Sequence, residues 1–232
     1  MNETLEVENT KKISKSIVQE KTIINDNYFY LFVKRFFDFI GSIVGIAFLI
    51  PIVIVVKIFS LFARDNNSIF FVQDRIGKNG KIFKMIKFRT MVPNADAILE
   101  EMLKNDKKIA NEYNKYKKLN NDPRITKIGK LLRITSIDEF PQFINVFLGQ
   151  MSLVGPRPYL PREKKDMGSR YKTITTVKPG LTGYWQVRGR NNTDFNDRLN
   201  LDVKYVKIKS LLLDLKILFK TFVIVFKRDG AL

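Results

Sequence analysis

Two residue types are missing altogether. The 232-residue chain has no cysteine and no histidine, and it has a single tryptophan. Without Cys there is no disulfide, no thiolate nucleophile and no Cys zinc site. Without His there is no imidazole base, which removes His zinc sites and every triad that depends on one. Chemistry is left to Asp, Glu, Lys, Arg, Tyr and hydroxyls, with a hard metal ion on oxygen ligands as the available metal class. A cysteine-free chain also fits a reducing compartment. Negative charge is scarce too: 23 Asp and Glu against 41 Lys and Arg leave a net charge of +18. Such a surplus does not set the fold. It points to polyanionic company, whether nucleic acid, an anionic membrane face or phosphorylated substrates. There is no internal repeat and no low-complexity tract.

Against that background one long uncharged run stands out. Phe39 to Val56 holds 18 residues without a charge inside Phe36–Phe62, the lower length limit for a membrane helix. A buried core helix is the bland alternative, but a run apolar on every side favours the bilayer. A cleaved signal peptide fits poorly, because the run starts late and no small-residue cleavage site follows. Pro51 falls in the middle, where it removes a backbone hydrogen bond and clashes with the preceding turn, at roughly 3 kcal/mol in a helix interior. Basic residues flank both ends, Lys34 and Arg35 before and Lys57 and Arg64 after, so the positive-inside tendency gives no orientation. A helix that breaks at Pro51 and returns to the face it entered from satisfies both observations, with a kinked span as the alternative.

Residues 1–30 are polar and mixed in charge and read as a mobile tail with a short helix near Ile13–Glu20. Residues 31–64 form the membrane helix, and 65–232 read as a cytosolic domain close to that membrane. Ile69–Asp74 and Lys81–Phe88 are expected strands around Gly77-Lys78-Asn79-Gly80, where Asn-Gly is a strong hairpin signal. Ala95–Leu119 is a charged helical stretch split near Asn105. Thr126–Arg133 and Ser136–Leu148 are further helices, Ser152–Arg162 is a proline-punctuated loop, and Lys178–Arg190 carries turn signals. In Val203–Arg228, seven Lys/Arg accompany one Asp among large apolar residues such as Leu212, Leu215, Phe219 and Phe222. A basic amphipathic helix on an anionic bilayer has this character, and a core helix with a wet lysine stripe matches the pattern equally well.

Two adjacent carboxylates lie in "RITSIDEFPQ", Arg133 to Gln142. Ser136-x-x-Glu139 is a capping box, a complete structural explanation of Glu139. It places Asp138 in the first helical turn, where partial positive charge favours an ionised carboxylate and an approaching phosphate. A carboxylate held there is a plausible nucleophile toward phosphorus, given cationic neutralisation by Arg, Lys or Mg²⁺. Arg133 lies just upstream. In Gly155-Pro156-Arg157-Pro158, two prolines lock the backbone around one arginine suited to bidentate phosphate contact, against the bland reading of a stiff surface turn. Asp214, alone in an apolar and basic helix, either pairs with Lys or Arg or serves a site.

The order of these pieces resembles the bacterial sugar transferases, the monotopic polyprenol-phosphate phosphoglycosyl transferases. The matching stretches are "KRFFDFIGSIVGIAFLIPIVIVVKI", "FFVQDRIGKNGKIFKMIKFRTM", "DPRITKIGKLLRITSIDEFPQFINVFLGQMSLVGPRP", "KPGLTGYWQVRGRN" and "LDVKYVKIKSLLLDLKILFKTF", from about Lys34 to the C-terminus. The resemblance implies a mostly helical α+β, monotopic membrane protein with a Pro-broken re-entrant helix, a β-hairpin and amphipathic interfacial helices. It also implies a place on the cytoplasmic face of the inner membrane.

The implied catalytic residues are Asp138 and Glu139, which also hold Mg²⁺. Asp138 attacks the β-phosphate of a UDP-sugar, UMP leaves, and undecaprenyl phosphate takes the phosphosugar from the aspartate. Arg133, Arg157, Pro158 and Asp214 are the implied substrate-binding positions. Anionic membrane lipid is an expected partner, nucleic acid is not, and a homodimer is a further expectation. Two departures stand out. Ile50 occupies the position before the helix-breaking proline where many relatives have Ser, and Met91–Asn120 is long. That insertion, "DPRITKIG" and the terminal "KRDGAL" look like the hexose-1-phosphate branch that begins O-antigen, capsule or exopolysaccharide units, with UDP-galactose or UDP-glucose as donor. The multi-span N-terminal region of larger relatives is expected to be missing. The rival reading is a membrane-tethered basic protein that binds nucleic acid or anionic lipid, which leaves the ordered acidic residues unexplained.

Overall fold

The computed structural model describes residues 27–63, 65–188 and 193–227. The tail up to residue 26 with its expected helix, Arg64, the Gly189-Arg190 turn and residues 228–232 lie outside the described residues.

Helix α1 spans Tyr28–Phe62, about 52 Å if straight. Asn27 starts it, its Oδ1 accepting from the N–H groups of Phe29 at 3.0 Å and Tyr30 at 3.3 Å. Pro51 lies inside this element, and helical backbone continues on both sides of it. Among the described residues it is the one helix long and apolar enough to cross a bilayer. Its buried positions include Asp38, Ser42, Gly45, Leu49, Val56 and Ser60, at helical spacing. The other sides expose Phe32, Phe36, Phe48, Ile54, Phe59 and Phe62.

The hairpin is as the Asn-Gly signal requires. Strands β1 (Phe70–Ile76) and β2 (Ile82–Phe88) pair antiparallel, with Phe70 opposite Phe88 and Ile76 opposite Ile82. Asn79 and Gly80 both take positive φ, 57° and 77°, the backbone of a primed turn. The charged stretch folds as α2 (Ala95–Asn105) and α3 (Lys107–Tyr116). They are split where Asp106 Oδ1 caps α3 by accepting from Lys108 N–H at 2.7 Å. Helix α4 (Lys127–Ile134) begins at Thr126, whose hydroxyl accepts from Gly129 N–H at 2.9 Å.

The next segment corrects the sequence expectation. Ser136–Leu148 is not one helix. Ile137–Glu139 is a 3₁₀ turn, and α5 begins only at Gln142 and ends at Phe147. Ser136 adopts left-handed backbone, φ 57°, and its side chain caps nothing. Pro141, lacking an N–H, then sits where a helix start wastes no donor. The capping box is therefore absent. With only a short turn behind it, Asp138 has no substantial helix dipole at its back.

Strand β3 (Ser152–Val154) lies within the expected loop and pairs in parallel with β4 (Gly180–Thr182). Short helices α6 (Lys164–Met167) and α7 (Arg170–Ile174) connect them. The C-terminal helix of the sequence reading is two, α8 (Phe195–Ile208) and α9 (Leu211–Lys227). The chain turns extended at Lys209, and Ser210 Oγ restarts it by accepting from Leu213 N–H at 3.2 Å. Helix α9 exposes Leu212, Leu215, Phe219 and Phe222 while burying Asp214 and Ile217, so it is amphipathic with its apolar face uncovered.

Helix α1 is bound to this body along most of its length. Asp38 accepts from Leu153 N–H at 2.8 Å and Ser152 Oγ–H at 3.0 Å. A Cβ on Gly45 would overlap the Phe143 ring, so glycine sets the approach of α1 to α5 there. Farther along, Leu49 and Val56 are buried with Phe88 and Leu132, and Ile137 and Phe140 pack against the same cluster. This cluster seats the Asp138 turn on α1.

Candidate active site

A cavity of about 1530 Å³ opens between the hairpin, the α2–α3 pair, the Ile137–Glu139 turn and α9. Lys and Arg outnumber Asp and Glu two to one along its wall. Asp138, Glu139, Arg133 and Arg157 all line it, so four of the six expected residues are brought together.

Each is positioned by a different element. Asp138 and Glu139 project from the 3₁₀ turn. Lys87 on β2 places its Nζ 3.4 Å from Glu139 Oε1. Arg133 in the last turn of α4 donates from Nε to Thr90 Oγ1 at 3.0 Å. Arg157 is fixed through its backbone: its N–H donates to Asp202 Oδ2 at 3.1 Å, and Tyr159 O–H donates to the same oxygen at 2.8 Å. Burial pushes the Asp202 carboxyl up to about 7.

The electrostatics also correct an expectation. Asp138 was expected to be held ionised. Instead its carboxyl is pushed up to about 6, first by burial and then by the Glu139 charge, with Lys87 and Arg133 opposing the rise. Two carboxylates that repel in a partly dry cavity are a site that a cation relieves. Among the described residues no three His, Cys, Asp or Glu side chains converge. A metal would therefore rest on these two carboxylates alone. That donor set fits Mg²⁺, which keeps several waters and takes the rest of its ligands from substrate phosphates.

Two expected residues are elsewhere. Asp214 is off the cavity, ion-paired to Lys34 Nζ at 2.7 Å and accepting from Tyr205 O–H at 2.8 Å and Tyr30 O–H at 3.0 Å. It ties α9 to α1, so the pairing explanation of this carboxylate holds. Pro158 also lies off the cavity wall, and its carbonyl accepts from Arg75 Nη1 at 2.8 Å. "DPRIT", by contrast, lies on the cavity wall through Asp122, Arg124 and Ile125 and also braces it. Arg124 holds Asp122 through two bonds of 2.8 and 2.6 Å and reaches Ala95 O at 3.1 Å, closing the base of the α2–α3 insertion.

Sequence reasoning missed Lys87, Arg75 and Trp185, all on the cavity wall. Arg75 Nε and Trp185 Nε1 are buried donors without a hydrogen-bond partner among the described residues. Beyond them the wall turns apolar, with Leu153, Leu181, Val187, Leu218, Phe222 and Val225.

A model of the bacterial sugar transferase family matches residues 29–228, which takes in all but the first residue of α1 together with the hairpin, the Asp138–Glu139 pair and the C-terminal helices. The chain belongs to the bacterial sugar transferase family. It is 45% identical over 200 residues to the UDP-galactose-lipid carrier transferase of Erwinia amylovora, covering 86% of this chain and 42% of that protein. It is 43% identical over 200 residues to the undecaprenyl-phosphate galactose phosphotransferase of Salmonella typhimurium, with the same shares. It is 42% identical over 198 residues to the exopolysaccharide production protein ExoY of Sinorhizobium fredii, covering 85% of this chain and 87% of the relative. The chain thus spans less than half the length of the first two and most of the third.

Proposed function

We propose that this sugar transferase moves a sugar-1-phosphate from a UDP-sugar to undecaprenyl phosphate at the cytoplasmic face of the inner membrane, as the first step in building an exopolysaccharide or capsule unit. The observation that carries the reading is the Asp138–Glu139 pair on the wall of a cavity rich in Lys and Arg, one end of which turns apolar. A cavity of that make-up suits a diphosphate at one end and a lipid at the other. The names of the relatives favour galactose as the first donor to test, with glucose beside it.

In this mechanism Asp138 Oδ attacks the β-phosphorus of the donor. The bond from that phosphorus to the bridging oxygen breaks, and the oxygen leaves with its electron pair as UMP. The phosphosugar is then held on Asp138 as a mixed anhydride. A phosphate oxygen of the lipid acceptor attacks the same phosphorus, Asp138 departs as carboxylate, and the diphosphate-linked sugar results. Lys87 and Arg133 neutralise the phosphoryl oxygens as charge redistributes, the largest electrostatic contribution such a site offers. Arg157 contacts the nucleotide phosphate. Asp138 and Glu139 would hold Mg²⁺, which supplies Lewis-acid neutralisation of the diphosphate when bound.

The same reading makes α1 re-entrant. Its contacts with the body include Asp38 in its first half and Val56 toward the other end. That suits a helix whose two ends lie on one side of the bilayer, with the exposed apolar face of α9 resting on the headgroup boundary.

The test is release of UMP from UDP-galactose and UDP-glucose by the full chain in lipid nanodiscs with undecaprenyl phosphate. Sustained, acceptor-dependent release is expected from wild type and none from Asp138→Asn. Full turnover by the Asn variant would remove Asp138 from the mechanism. No turnover with any donor, alongside tight binding to nucleic acid or anionic vesicles, would favour the binding-protein alternative.

A further inference from the structure

We infer that Arg75 binds a substrate phosphate, forming with Arg157 a second anion subsite on the cavity wall beside the Pro158 loop. This rests on the reading of the cavity as a phosphosugar transfer site. Arg75 is at the end of β1, is only 7% exposed and still lines the cavity. Gln73 Oε1 accepts from its Nη2 at 2.6 Å and Pro158 O from its Nη1 at 2.8 Å, while its Nε–H has no hydrogen-bond partner among the described residues. Both acceptors are neutral, so this buried guanidinium has its geometry fixed without a direct ion pair among the described residues.

Its surroundings sharpen the point. Of the charges acting on Arg75, Arg157 weighs most and has the same sign, with Glu163 and Glu139 opposing it less strongly. Burial and then Arg157 push the guanidinium down to about 10. Two arginines brought together in a poorly solvated wall are unfavourable until an anion sits between them. A structural bolt between β1 and the Pro158 loop would need no charge at all. Held in advance by Gln73 and Pro158, the fork meets a phosphate at little ordering cost. The ligand chemistry is a phosphate, from the donor's nucleotide diphosphate or the acceptor's lipid monophosphate.

The test is calorimetric titration of the full chain in nanodiscs with UDP, farnesyl phosphate and uridine, for wild type, Arg75→Gln and Arg75→Lys. Arg75→Gln is expected to weaken one phosphate ligand by about 10- to 100-fold, Arg75→Lys to recover part of that, and uridine to be unaffected. Loss confined to UDP assigns the subsite to the donor, and loss confined to farnesyl phosphate assigns it to the acceptor. Both phosphate ligands within about twofold of wild type, or uridine weakened as much as UDP, overturns the inference. If Arg75→Gln does not fold, Gln73→Met, which frees Nη2 but keeps the charge, is read the same way. There a roughly threefold or larger loss of one phosphate ligand supports the subsite, and a smaller change overturns it. These titrations involve no covalent step, so the subsite stands or falls separately from the aspartate intermediate.

Discussion

Replacing Asp138 by Asn should make the protein more stable while abolishing turnover. In the folded chain the Asp138 carboxyl is pushed from 3.8 up to about 6 by burial and by Glu139. The folded state therefore binds a proton more readily than the unfolded chain, and ionising Asp138 works against folding. That penalty is absent below about pH 4, where both states are protonated, and is complete above about pH 6. The gap is worth at most about 3 kcal/mol. Asp138 is partly exposed and Glu139 shares in the titration, which reduces the expected gain to ~1–2 kcal/mol. At about 2–4 °C per kcal/mol for a chain of this size, the Asn variant should melt about 2–8 °C higher at pH 7.5. The assay is thermal unfolding of both proteins in nanodiscs, metal-free and without donor, from pH 4 to 8. An advantage that grows as pH rises through 4 to 6 is expected. A variant that melts at or below wild type at pH 7.5, or one equally advantaged at pH 4, would refute the reasoning.

Three other outcomes follow from the same geometry. With Asp138 as nucleophile, kcat/KM for the donor should fall about tenfold per pH unit on the acid side of the Asp138 titration, which lies at about pH 6 in the cation-free protein and moves to lower pH as Mg²⁺ is raised; an acid limb that does not move with Mg²⁺ concentration would contradict the assignment. Asp214→Ala leaves the half-buried Lys34 without its carboxylate, so a loss of about 2–3 kcal/mol in stability is expected, with donor affinity of the folded fraction unchanged; a selective loss of donor binding would return Asp214 to the site. Cysteines placed in the N-terminal tail and at Asn66 should both label from the cytoplasmic side, and labelling from opposite sides would establish a span.

How much of this was legible in the chain depends on how local each cause is. Asn79-Gly80 announced the hairpin because positive φ at both positions is a property of those two residues. The split between α2 and α3 was legible near Asn105, and the structure shows Asp106 as the cap that makes it. The apolar run gave α1, although helical backbone passes through Pro51 rather than stopping there. The capping box failed because Ser136 takes left-handed backbone to seat Ile137 and Phe140 on the Leu49–Leu132 cluster, a tertiary demand that overrides the local motif. The dyad was visible as two neighbouring letters. Lys87 and Arg75 were not, since they reach Glu139 and Pro158 across 52 and 83 residues of sequence. Three-residue strands such as β3 and β4 are likewise too short to carry a pattern of their own.

The central claim is that Asp138 carries the sugar phosphate, and it is tested most directly by intact-protein mass. Purified full chain is mixed with Mg²⁺ and a panel of UDP-sugars in the absence of lipid acceptor. The account predicts an added mass equal to one sugar phosphate with one donor, absent in Asp138→Asn and discharged when undecaprenyl phosphate is added. Acceptor-dependent turnover without any such adduct, or an adduct that persists in the Asn variant, would contradict it.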